Sequence, residues 1–157
     1  MGIQINIGDH TSPVTRYVAV PSSKRGTLNW ARTKAKAVAG GNPKANTFFK
    51  SLTGARTLTQ LLNDSSIWIN YCPTLTLLGE AQISGKELAI GPNSFSKGKW
   101  VVLGTLIHEL AHINGAPTAG GNTLAEEALY HCGLGTFAEY DGGVDDPSTP
   151  YDPRTGG

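Results

Sequence analysis

Residues 100–113 carry apolar side chains on nearly every bearing of a helix: Trp100, Val101, Val102, Leu103, Leu106, Ile107, Leu110, Ala111 and Ile113. A helix that is apolar all round is a buried one. Its main polar interruptions are Thr105, His108, Glu109 and His112, which fall at i, i+3, i+4 and i+7 and so form a single stripe. Ser94 or Ser96 offers a cap for its start, and Asn114-Gly115 followed by Pro117 offers an end. After the turn-rich residues 115–122, the segment 123–132 reads as a second helix ending at Gly133. Its apolar face is Leu124, Ala125, Ala128, Leu129 and Cys132, flanked by Glu126 and Glu127.

Upstream, residues 2–8 alternate apolar and polar side chains like a half-buried strand, and 16–20 reads as another. Residues 28–39 have a helical pattern, 46–52 a shorter one, and Thr57 with Gln60 is spaced to cap a helix through Asn63. Residues 66–71 and 86–90 are rich in strand formers, with 74–78 a third candidate. A small sheet followed by two helices predicts an α+β domain.

Composition bounds this picture. The 157 residues fit one domain. We place that domain at 1–140, and the Gly-, Pro- and Asp-rich residues 141–157, which have little to bury, as a tail. Glycine and proline together total 29 residues, which predicts long ordered loops around a modest scaffold. No run reaches the roughly 18 apolar residues of a membrane span. The polar opening lacks a signal-peptide core, so the expected location is the cytoplasm, or outside the cell by a leaderless route. Asn6 stands where myristoylation requires Ser or Thr. Cys72 and Cys132 allow one disulfide or two buried thiols, and their spacing is not that of a structural zinc site.

The net charge of +1 conceals an asymmetry: residues 1–60 sum to +8 and residues 61–157 to −7. Lys24, Arg25, Arg32, Lys34 and Lys36, with Trp30 among them, offer a surface for an acidic partner, although such a run is more often a solvated helix face. Nucleic acid is not indicated.

The chemistry sits in His108-Glu109-Leu110-Ala111-His112. Histidines four apart on a helix stand about 40° apart around its axis, so both can face one ion. With four histidines and few glutamates, shuffling this composition yields H-E-x-x-H only about 0.004 times per chain, so accident is a poor explanation. The pattern predicts a Zn2+ site. Glu109, rotated about 100° from His108, suits a base acting on metal-activated water. A catalytic zinc needs a third protein ligand. Angle alone does not choose among Glu126, Glu127 and His131, and Asp141 is a further candidate. Glu126 also stands at capping-box spacing from Thr123. Tyr130, His131 or Tyr140 could stabilise an oxyanion. His10 has no metal-like partner in sequence.

His-Glu-Leu-Ala-His, followed after a glycine-rich loop by Ala-Glu-x-Ala-x-x-x-Cys-Gly, resembles metallopeptidase domains of the zincin group found in bacterial secreted effectors and toxins. The match covers residues 108–133. The resemblance implies a zincin-like fold, with a small, mostly antiparallel sheet packed on the active-site helix and a following ligand helix. It also implies a gluzincin-type ligand set of His108, His112 and Glu126. The expected function is zinc-dependent hydrolysis of protein or peptide substrates, with Glu109 as general base and His131 and Tyr130 as further catalytic candidates. Two alternatives accompany it: an amidase or endopeptidase acting on cell-wall peptide, and a non-catalytic, zinc-stabilised binding protein.

Overall fold

The computed structural model describes residues 2–117 and 124–134. Thr123, Tyr140, Asp141, the 135–140 segment and the 141–157 tail all lie outside those residues. The elements run β1 (Gln4–Ile5), α1 (Ser22–Gly41), α2 (Pro43–Ser51), α3 (Leu58–Leu62), β2 (Trp68–Tyr71), β3 (Gly79–Ala81), β4 (Glu87–Ile90), α4 (Pro92–Lys97), α5 (Lys99–Ile113) and α6 (Leu124–His131). They form one small α+β domain around a four-stranded mixed sheet.

Local signals account for several of these elements. Thr57 and Gln60 close a reciprocal capping box at the start of α3, as their spacing predicts. Asn42 accepts from the Lys44 amide and starts α2 with Pro43 in its first turn, earlier than the apolar pattern indicated. Asn114 ends α5, and Gly115 follows it with φ of 99°. Gly133, with φ of 77°, terminates α6. The start of α5 differs from expectation: Ser94 and Ser96 lie inside α4, and Gly98, with φ of 109°, is the cap residue of α5.

The strands depart further from the sequence pattern. The sheet order is β1-β2-β4-β3, with β1 parallel to β2, β2 parallel to β4, and only β3 antiparallel to β4. The mostly antiparallel sheet of the sequence reading is therefore corrected to a mixed one. Parallel neighbours require long returns. Helices α1 to α3 supply one between β1 and β2, and the segment carrying β3 supplies the other between β2 and β4. The 2–8 pattern shortens to Gln4–Ile5, because the chain turns at Asn6, whose side chain accepts from the Gly8 amide. Residues 16–20 contribute one bridge, Val18 to Tyr71, and 74–78 form no strand. The leucines of that last segment serve other ends: Leu75 packs over Cys72 and Ala89, while Leu77 is exposed at a cleft.

One face of the sheet, carrying Ile69, Tyr71, Leu88 and Ile90, joins the main core with α1 and α5. Helix α5 is enclosed by α1, α4, α6, β3 and β4, and every residue from 102 to 113 is buried. That enclosure explains why its apolar side chains fall on nearly every bearing. On the other face Tyr17, Cys72 and Ala89 form a second cluster under the 9–20 segment. No helix among the described residues is long and apolar enough to cross a membrane.

Four of the five basic residues of α1 are engaged within the fold. Arg25 donates to the Val20 carbonyl at 2.9 Å and Arg32 to the Ile3 carbonyl at 3.0 Å. Lys24 lies over Tyr71 and Phe95, and Lys34 over Trp100.

Candidate metal centre

The polar stripe of α5 divides into two parts. Thr105 is satisfied locally: its hydroxyl donates to the Val101 carbonyl at 2.8 Å and meets the Ser94 hydroxyl at 2.9 Å. His108, Glu109 and His112 instead bring ligand atoms within 4.8 Å of one another, and all three are buried.

Each histidine is held from behind. The His112 Nδ1 atom lies 2.6 Å from the Ala116 carbonyl oxygen, which the turn through Gly115 delivers. His108 Nδ1 lies 3.1 Å from Glu126 Oε1, brought by α6 and 2% exposed. A neutral imidazole carries one N–H. A carbonyl can only accept, so His112 donates through Nδ1, while His108 Nδ1 meets a carboxylate oxygen. The two Nε2 atoms face each other at 3.2 Å. Nitrogens bound at 2.0–2.1 Å to a tetrahedral zinc stand about 3.3 Å apart, so the observed spacing fits that ion. The acceptors behind the rings also match the pattern in which a ligating histidine gives its second N–H to a carboxylate or a backbone carbonyl. His108, Glu109 and His112 thus form a buried group that could bind a metal ion.

A cleft of about 960 Å3 opens onto these three residues. One wall is β3, and Gly79 is what lets that strand approach. A Cβ at this position would stand 2.5 Å from Thr105 Cγ2, 3.0 Å from Glu109 Cγ and 3.1 Å from Glu109 Oε2. No larger residue fits without moving the strand, the Thr105 methyl or the Glu109 side chain. The Gln82 amide donates to the Glu87 carbonyl and the Gly91 amide to the Leu78 carbonyl. Alternation in an antiparallel pair therefore turns the backbone groups of Gly79 and Ala81 away from β4, towards the open edge. Across the cleft the Tyr17 hydroxyl donates to Glu80 at 2.9 Å, and Arg16 pairs with the same carboxylate. Burial pushes the Tyr17 phenol up to about 12; Arg16 pulls it down and Glu109 adds to the rise.

The other sequence candidates lie apart from this cleft. Tyr130 is exposed, while His131 stacks on Phe48 and sits 3.4 Å from Glu127. None of Tyr130, His131 or Glu127 lines the cleft. Cys72 and Cys132 are buried free thiols, and burial pushes the Cys132 thiol up to about 12, which disfavours the thiolate a metal would need. His10, which had no partner in the sequence, meets Glu87 at 2.9 Å and stacks on Trp68.

Sequence reasoning missed Gly79, Tyr17 and the Ala116 carbonyl. Gly79, in the run Leu77-Leu78-Gly79, was the one with a signal, since a glycine beside a strand marks close backbone approach. No protein-family model, curated protein or solved structure matches the chain.

Proposed function

We propose that the protein is a zinc-dependent peptidase. The observation that carries this reading is the convergence of the His108 and His112 Nε2 atoms, 3.2 Å apart, beside a buried carboxylate at the floor of a cleft. Zinc held there would polarise a substrate carbonyl and lower the pKa of water towards about 7. Glu109, adjacent in sequence but turned towards Gly79, is placed to take the proton from that water and pass it to the leaving amine.

The outward backbone groups of Gly79 and Ala81 support an extended peptide as substrate. A chain laid along the β3 edge would gain main-chain hydrogen bonds whatever its sequence. Exposed Leu77 and Ile83 at the two ends of that strand offer apolar contacts for its side chains. Tyr17 and Arg16, tied to Glu80, shape the opposite side.

Replacing Glu109 by Gln tests the chemistry. The substitution keeps size and helix compatibility and removes the proton acceptor. Zinc content and thermal unfolding should match the parent, while hydrolysis of a broad peptide library falls roughly 10²–10⁴-fold. A zinc-loaded Glu109→Gln protein that keeps most of the parent's turnover would exclude this mechanism. A parent that holds zinc and cleaves no peptide would favour a zinc-stabilised binding protein.

A further inference from the structure

We infer that Glu126 is a positioning residue for His108 and not a metal ligand; the inference rests on the zinc reading above. The sequence resemblance implied that Glu126 completes the ligand set. Its position in the fold points elsewhere. The carboxylate meets His108 at Nδ1, the ring atom opposite the Nε2 that faces His112. It also stands outside the group of donor atoms that His108, Glu109 and His112 bring together.

The two histidines have parallel arrangements. Each points Nε2 at the common centre and sets Nδ1 against an oxygen behind it, Glu126 for one and the Ala116 carbonyl for the other. Such outer partners fix the tautomer and the ring angle and raise ligand basicity. They do this without touching the ion. The carboxylate is itself held in place by packing, since α6 lies on α5 through Ala125, Ala128 and Leu129. Asn42 donates to the His131 carbonyl at 2.7 Å, tying the end of α6 to the start of α2. Moving Glu126 to the Nε2 side of His108 would require α6 to slide along α5 and uncover that contact.

A ligand and a positioning residue respond differently to substitution. The experiment measures zinc affinity by chelator competition, and the visible spectrum of the cobalt(II)-loaded protein, for the parent, Glu126→Gln, Glu126→Ala and His108→Ala. Cobalt(II) absorption reports the number and kind of donor atoms. We expect Glu126→Gln, whose amide oxygen still accepts from Nδ1, to bind one metal per chain with affinity reduced no more than about 10–100-fold and with the cobalt bands unmoved. Glu126→Ala should bind more weakly than Gln with the same bands. Affinity falling as far in Glu126→Gln as in His108→Ala, or cobalt bands altered in the Gln protein, would overturn the inference while leaving the zinc reading intact. A parent that binds neither metal would overturn both. Should the Ala protein fail to fold, the Gln protein carries the test, since it fills the same space.

Discussion

Two places among the described residues set a histidine against a buried glutamate, and they lie on opposite faces of the sheet. At the first, His108 and Glu126 meet at 3.1 Å beneath the cleft. At the second, His10 meets Glu87 at 2.9 Å, Asn70 donates to the same carboxylate at 3.1 Å, and Asn6 donates to Asn70 at 2.9 Å. Residue types and distances are similar. What differs is where the remaining lone pairs go. The second cluster closes on itself: Glu87 accepts from two sides, Asn70 also reaches the Leu88 carbonyl, and the His10 ring is covered by Trp68 at 4.1 Å. The first directs two ring nitrogens at one point on a cleft floor. Buried titratable groups alone therefore do not mark a site; convergence onto accessible space does.

The largest effect should separate the two histidines. His108→Ala removes a direct donor, and its zinc affinity should fall well beyond the roughly 10–100-fold loss of an outer partner, whereas His10→Ala should bind zinc like the parent. Zinc stoichiometry after dialysis against a weak chelator checks this; equal zinc content in the two variants would erase the distinction between the clusters. Next comes the closed network. Glu87→Ala leaves His10 and one Asn70 proton without their acceptor, and we expect about 2–4 kcal/mol of lost stability in urea unfolding with zinc affinity unchanged. A drop in metal affinity there would mean that the two faces are coupled.

The smallest effect sharpens the first cluster. Gly79→Ala must displace β3 or the Thr105 methyl, presses on the Glu109 side chain, and should cost about 1–3 kcal/mol in stability. Zinc content should hold, because neither Nε2 atom is touched, while peptide turnover falls through the shifted Glu109. Turnover equal to the parent's would show that the strand gives way without disturbing the carboxylate.

Much of the site was legible in the chain itself. An H-E-x-x-H stripe on a helix apolar all round identifies α5, its burial and its paired histidines, because side chains four residues apart share a face whatever surrounds them. The capping box at Thr57 and the helix-ending glycines Gly115 and Gly133 are of the same kind. Each depends on contacts within one turn.

The rest depended on chain returning from far away. Whether β2 pairs parallel with β4, which oxygen lies behind His108, and whether a strand passes close enough to Glu109 to require glycine are relations between segments far apart in sequence or lying on different elements. Glu126 illustrates the limit. Its place in the motif that the resemblance rests on made it the candidate third ligand, but a residue on another helix can reach either edge of the His108 ring. Only the packing of α6 on α5 selects the Nδ1 edge. Helical periodicity fixes direction within an element, whereas the approach of two elements is set by how their buried surfaces fit, and no local pattern encodes that fit.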